Sequence, residues 1–231
     1  TKAYFPTGKG PNDRGSSRYH LVRSVEDSLR RLRTDRIDVF YLHRYDDVTD
    51  LDETLRAVDD LVRAGKVLYP AVSNFSAWQT AKAIGRCDAM GWARPVCTQP
   101  MYNLAKRQAE VEILPQATDA GIGVVPYSPL GGGLLRRKYG RSDRPEAGRL
   151  VDWPMYKVRY ADETYYAIAE RFRDAASAAG VHPVSLAVRW VSTHPAVTAP
   201  IVGARSVEQL EPALASVEVA LDANARAELS K

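Results

Sequence analysis

Polar side chains follow several short apolar runs in this sequence, at the point where each run ends. These positions hold His43, Ser73-Asn74, Gln99, Tyr127-Ser128 and Gly203-Ala204-Arg205. One reaction that such a set of side chains could serve is reduction of a carbonyl, which needs a hydride donor and an acid held close together. Because side chains carry no hydride, a protein that catalyses this reaction must bind a hydride donor such as a nicotinamide. Its ring needs an aromatic face, its carboxamide needs amide and hydroxyl partners, and its phosphates need N–H donors and cations. The residues at these positions could meet those needs.

Apolar runs and amphipathic segments alternate along the chain, with runs spaced about 30 residues apart, the length of one βα unit. The predicted strands are 37–42, 67–72, 95–98, 122–126 and 197–202. Helical periodicity covers 22–32 and 51–62, the second with Asp50 as the N-cap and Gly65 near its end. Further helices are predicted over 161–179 and from Pro183 onward.

This alternation predicts parallel strands covered by helices, as an open doubly wound sheet or as a closed barrel. No glycine fingerprint of the dinucleotide-binding type follows the first long strand, so the open sheet loses support. Polar residues after the strands favour the barrel, whose active sites lie there. Two segments rich in Gly, Pro and Arg, 4–19 and 131–160, are predicted to be substrate or cofactor loops.

Composition excludes several other classes of protein. Of the 231 residues, 45% are hydrophobic and 26% charged, which is typical of a globular enzyme, and no apolar run is long enough to cross a membrane. The net charge of +4 is dispersed, which argues against nucleic-acid binding. Two cysteines, Cys87 and Cys97, fit a reducing compartment, and we expect a cytoplasmic protein. Metal ligands at useful spacing are absent from the sequence.

Six short segments, in order and with matching spacing, resemble the aldo-keto reductases. They are Ser28–Leu32 with Asp35, Asp38 and Leu42-His43; Gly65-Lys66; Val72–Phe75; Gln99 with Tyr102-Asn103-Leu104; Tyr127–Leu130; and Gly203–Ser206 with Glu208–Leu210. The resemblance implies a single (β/α)8-barrel domain over residues 1–231 that binds NADPH and a small carbonyl substrate. The family's catalytic set is Asp, Tyr, Lys and His.

Carried over residue by residue, the resemblance assigns Lys2 and His43 to catalysis. It places Ser73, Asn74 and Gln99 on the carboxamide and Tyr127 on the nicotinamide ring. The pyrophosphate would be contacted by Ser128, Pro129, Leu130, Gly132, Leu134 and Lys138. The 2′-phosphate and adenine end would be contacted by Gly203, Arg205 and Gln209, with Arg205 favouring NADPH over NADH. The four tryptophans, 78, 92, 153 and 190, are interpreted as packing residues.

The sequence departs from the family pattern at its beginning. Only Thr1-Lys2 remain of the family's third strand, and the stretch that carries its Asp and Tyr is not found, which leaves about six of eight βα units. We therefore expect upstream residues to supply that Asp and Tyr. Pro212-Ala213 also replaces the Glu-Asn usual at the adenine contact.

The predicted function is reduction of aldehydes or ketones to alcohols with NADPH. The alternatives are a catalytically silent nicotinamide-binding regulatory subunit and a truncated, non-functional remnant. The sequence specifies neither the physiological substrate nor an oligomeric state.

Overall fold

A computed structural model describes residues 1–136, 139–140 and 145–231. These residues divide into two compact units. The first comprises 1–100 and 112–124, and the second comprises 101–111 and 125–231. The single domain expected over the whole chain stays a prediction.

The first unit is built on a five-stranded parallel sheet, whose strands pair in the order in which they occur in the chain. They are β1 (Lys2–Ala3), β2 (Ile37–Leu42), β3 (Val67–Ser73), β4 (Cys97–Gln99) and β5 (Gly123–Val124). A doubly wound sheet reverses its strand order at a switch point, and this sheet does not. The predicted strands 37–42, 67–72, 95–98 and 122–126 are confirmed, each within three residues of its expected bounds.

Helices pack against this sheet. They are α1 (Arg18–Leu32), α2 (Leu51–Arg63), α3 (Ala77–Met90) and α4 (Ile113–Asp119). Asp50 caps α2 as predicted, because its carboxylate accepts hydrogen bonds from the backbone N–H groups of Asp52 and Glu53. The apolar sides of α1 and α2 pack on β2 and β3 in one buried cluster that includes Val25, Leu42 and Val72.

The second unit is mainly helical. Its helices are α5 (Arg149–Asp152), α6 (Pro154–Arg159), α7 (Glu163–Ala178), α8 (Pro183–Ser192), α9 (Val207–Leu214) and α10 (Ala223–Leu229). The predictions of α7 and of a helix that begins at Pro183 are confirmed, and the His182 side chain caps α8 by accepting from the Val184 N–H. The interpretation of Trp190 as a packing residue is also confirmed, since it is fully buried.

Two predictions for the second unit need correction. The expected strand 197–202 is a single parallel bridge at Ile201, which pairs with Tyr127. Pro200 has no N–H to donate, so the ladder cannot extend through it. The segment 131–160, expected to be irregular, contains α5 and α6.

Among the residues that the structure describes, no helix is both long and apolar enough to cross a membrane. In the same residues, no group of three or more His, Cys, Asp or Glu side chains could hold a metal ion.

Candidate active site

The β-sheet of the first unit brings the predicted catalytic residues to one face. Lys2 lies opposite Tyr41 across β1 and β2, and Ser73 lies opposite Gln99 across β3 and β4. Side chains alternate along a strand, so His43, two residues beyond Tyr41, belongs to the same face. Because the strands are parallel, the sheet's carboxyl edge positions His43, Ser73 and Gln99 as neighbours. We call these three residues, with Asn74, the sheet rim.

Lys2 and Tyr41 form a contact one step below the sheet rim. The Lys2 ammonium lies 5.2 Å from the centroid of the Tyr41 ring. Burial lowers the pKa of Lys2 from its usual value. Burial, with a hydrogen bond between the Tyr41 hydroxyl and the Cys97 thiol at 3.4 Å, raises the pKa of Tyr41 to about 12. Tyr41 is therefore a poor proton donor despite its lysine neighbour.

His43 is half-buried at the end of β2. Burial, and secondarily the charge of Lys2, lower the pKa of its imidazole, so the ring is neutral at pH 7. The Phe5 ring packs edge-on against it, with centroids 4.9 Å apart. A neutral imidazole can donate a hydrogen bond to a carbonyl oxygen without adding a net charge.

Three strand ends are joined by hydrogen bonds at the sheet rim. The Ser73 hydroxyl donates to the Gln99 carbonyl at 2.9 Å. The Asn74 amide donates to the His43 carbonyl at 2.9 Å and to the Ser73 hydroxyl at 3.1 Å. Asn74 makes these bonds from a left-handed backbone conformation, φ 55°, which Asn tolerates better than most residues. Ser73 and Gln99 are buried, whereas Asn74 is exposed.

A groove of about 600 Å³ lies in the second unit. We call it the loop groove. Its lining includes eight of the predicted cofactor residues: Tyr127, Ser128, Pro129, Leu130, Gly132, Gly203, Arg205 and Gln209. Leu134 does not line it and is fully buried. Lys138 lies outside the described residues.

The wall of the loop groove depends on tight backbone turns. Ser128 has a positive φ of 64°, and its carbonyl accepts from the Gly131 N–H at 2.9 Å. Gly132 has φ 70°, and a Cβ built there would lie 2.7 Å from ring atoms of Tyr156 on α6. Only glycine meets both the conformation and the close approach at position 132.

The loop groove has the charge that a phosphate ligand requires. Arg136, Arg149 and Arg205 line it, and among the described residues of its lining Asp152 is the one carboxylate. Arg205 lies just before α9, and its backbone N–H donates to the Gln209 side chain at 3.3 Å. A helix start beside a guanidinium favours an anion. The size, the aromatic Tyr127 and this donor set fit a dinucleotide.

Sequence reasoning missed the part of the loop groove contributed by α5 and α6. Trp153 was expected to be a packing residue, but it is 54% exposed and lines the groove with Tyr156 and Arg149. Trp153-Pro154 could have signalled this, because Pro154 is the first residue of α6 and leaves Trp153 outside it. Trp78 is likewise exposed, at 59%, and packs only against the Tyr45 ring among the described aromatic contacts, with centroids 5.8 Å apart.

Comparison with known proteins decides the family. The sequence profile of the Aldo/keto reductase family matches residues 1–231. The chain belongs to this family. The resemblance inferred from the six segments is confirmed, as is the α/β fold class, because the family implies a (β/α)8 barrel.

Among the relatives of this aldo/keto reductase, an uncharacterized oxidoreductase of Bacillus subtilis, YrpG, is 40% identical over 96% of the chain and 67% of its own length. A probable voltage-gated potassium channel subunit beta of Arabidopsis thaliana is 34% identical over 93% of the chain and 66% of its own length. Human aflatoxin B1 aldehyde reductase member 2 is 36% identical over 92% of the chain and 64% of its own length. The chain spans about two thirds of the length of these relatives.

Family membership and the oxidoreductase relatives support carbonyl reduction as the class of reaction. The family generally binds NAD(P)H and acts on small carbonyl compounds.

Proposed function

We propose that this protein reduces aldehydes or ketones to alcohols with NADPH. The observation that carries the proposal is the loop groove, whose lining joins an aromatic side chain, a glycine-dependent turn and three guanidinium groups. A reduced nicotinamide supplies the hydride when it is bound.

The residues of the sheet rim would orient the substrate and the cofactor's carboxamide. The neutral imidazole of His43 would donate a hydrogen bond to the substrate carbonyl, which polarises it toward hydride attack. The Lys2 ammonium, on the same face, would stabilise negative charge that develops on the oxygen, and a proton from solvent would complete the alcohol. Ser73, Asn74 and Gln99 would present amide and hydroxyl groups to the carboxamide.

The preference for NADPH over NADH is proposed from Arg205. Its exposed side chain lies at the start of α9, where the helix dipole and the guanidinium favour a dianionic 2′-phosphate. Tyr127 would stack on the nicotinamide, and Ser128 through Gly132 would follow the pyrophosphate. The assignments of Leu134 and Lys138 stay predictions.

The test is titration of the protein with NADPH, followed by addition of a panel of aldehydes and ketones. We expect saturable binding, detected by nicotinamide fluorescence, and loss of the reduced-nicotinamide absorbance with at least one carbonyl. Failure to bind NADPH or NADH would overturn the proposal.

A second candidate is a nicotinamide-binding regulatory subunit without turnover. Two plant relatives favour it, the probable potassium channel beta subunits of Arabidopsis thaliana and Oryza sativa, at 34% and 33% identity. Tight NADPH binding with no turnover of any carbonyl in the panel would select this candidate.

The predicted cytoplasmic location and the expected lack of nucleic-acid binding stay predictions.

A further inference from the structure

Asn103 is the central residue of the Tyr102-Asn103-Leu104 segment and is completely buried in the second unit. Its side-chain oxygen accepts from the backbone N–H groups of Ala105 at 3.1 Å and Lys106 at 3.0 Å. Its amide nitrogen donates to the Ser128 carbonyl at 3.0 Å and to the Tyr160 hydroxyl at 3.2 Å. All four hydrogen bonds that an amide side chain can make are thus formed.

Ser128 is the part of this network that needs support. Its φ of 64° is a left-handed conformation that costs free energy for any residue with a Cβ. Its carbonyl accepts two bonds, one from Asn103 and one from Gly131 at 2.9 Å, the second of which closes the turn 128–131. Ser128 is also a lining residue of the loop groove, so its backbone direction shapes that wall.

Tyr160 packs against the same turn, beside Asn103. It is 1% exposed, and a Cβ built on Gly131 would meet its hydroxyl at 3.4 Å. Burial raises the pKa of Tyr160 to about 12, so its hydroxyl stays protonated and neutral. Because Asn103 donates to that hydroxyl, the ring and the amide hold each other behind the turn.

We propose that Asn103 and Tyr160 are positioning residues for cofactor binding, which hold Ser128 in its left-handed conformation so that the turn 128–131 can receive the pyrophosphate. The inference rests on the proposed function. Neither side chain lines the loop groove, so both act through Ser128 and Gly131.

The effect should be confined to the phosphate part of the loop groove. Arg205 is organised separately, by the bond from its N–H to Gln209. Adenosine 2′-phosphate, which lacks the pyrophosphate, should bind at the Arg205 end alone. A substitution of Asn103 should therefore weaken the binding of NADPH and leave the binding of this fragment unchanged.

The first experiment uses Asn103→Asp, which keeps the oxygen that accepts from Ala105 and Lys106 but removes the donor to Ser128. We expect the Kd for NADPH, measured by nicotinamide fluorescence, to rise about tenfold, as for the loss of one hydrogen bond to a buried carbonyl. The Kd for adenosine 2′-phosphate, measured by competition, should stay unchanged. An unchanged NADPH Kd, or equal weakening of both ligands, would overturn the inference.

A milder pair of variants decides the matter if Asn103→Asp does not fold. Tyr160→Phe removes only the hydroxyl that faces Asn103, and we expect about a threefold rise in the NADPH Kd. Tyr165→Phe is the matched control, because its hydroxyl bonds Lys106 at 2.5 Å and does not touch the turn. Equal NADPH affinities for these two variants would contradict the role given to Tyr160.

A rescue separates positioning from general stability. Glycine adopts a positive φ without the cost that serine has. In a Ser128→Gly background, Asn103→Asp or Tyr160→Phe should therefore raise the Kd for NADPH by less than half the factor that the same substitution gives in the wild-type chain. Full additivity of the two changes would overturn the proposal. A wild-type chain that binds no NADPH would instead refute the proposed function, and the inference with it.

Discussion

The sheet rim and the loop groove bring their functional side chains together by different means. At the sheet rim, strand register aligns His43, Ser73 and Gln99, because neighbouring parallel strands end at one edge, and Asn74 is the one member with a positive φ. In the loop groove, the wall depends on positive-φ residues and on short helices that follow no ladder. We therefore expect side chains aligned by strand register to tolerate local change better than a groove wall that depends on single backbone angles. Four predictions test this difference.

The largest effect is expected from Gly132→Ala. The new methyl group would lie 2.7 Å from the Tyr156 ring, at a backbone φ of 70°. We expect a loss of about 2–4 kcal/mol in the free energy of unfolding, from strain and overpacking together, and a large loss of NADPH affinity. Urea unfolding and cofactor titration measure the two.

Gly121→Ala is the control for Gly132→Ala. Gly121 also has a positive φ, 65°, but a Cβ there would meet nothing within 4 Å. It should lose only about 1–2 kcal/mol, the conformational cost alone, and keep NADPH binding. Equal losses of unfolding free energy in the two variants would show that the Tyr156 ring moves away from the new methyl group without cost.

Arg205→Ala should weaken NADPH about tenfold and leave NADH affinity unchanged, since only NADPH carries the 2′-phosphate. Arg171→Ala, an exposed arginine on α7, is the control and should change neither affinity. Fluorescence titration with both nucleotides provides the measurement. An equal loss of NADH affinity would show that Arg205 contacts a part of the cofactor that NADH and NADPH share.

Ser73→Ala tests the sheet rim. It removes the bond from the Ser73 hydroxyl to the Gln99 carbonyl and the bond that this hydroxyl accepts from the Asn74 amide, and we expect a loss of about 1–2 kcal/mol in unfolding free energy. Thr98→Val on β4 is the control, because the buried Thr98 hydroxyl has no hydrogen-bond partner among the described residues. That variant should be neutral or slightly stabilising. A larger loss at Thr98 than at Ser73 would contradict the account of the sheet rim.

The smallest effect concerns the electrostatics of the sheet rim. Lys2→Met removes the nearby charge, so the pKa of His43 should rise toward its ordinary 6.5, with burial still holding it lower. The folded state holds His43 below its unfolded pKa. Its contribution to stability is therefore present above pH 6.5 and is lost as pH falls toward the folded pKa. NMR titration of the imidazole checks the shift, and a fall on removal of Lys2 would refute it.

Prediction from the sequence succeeded where position along a strand was enough. The first long strand, 37–42, has the predicted bounds, and the residue after it is His43. It failed for Trp153, which was expected to pack in the interior but is 54% exposed and lines the loop groove. Leu134 lies in the expected loop but is fully buried and does not line the loop groove.

By itself, the sequence determined the family, the alternation of strands and helices, and the types of side chain at each strand end. Hydrophobic periodicity and short motifs are local properties that the chain carries before it folds. Only the tertiary structure decided that Asn103 lies beneath Ser128, that Tyr41 is a poor acid, and that arginines from separate segments line one groove. Burial and contacts between residues far apart in the chain exist only once it is packed, and these set the pKa values and the shape of the site.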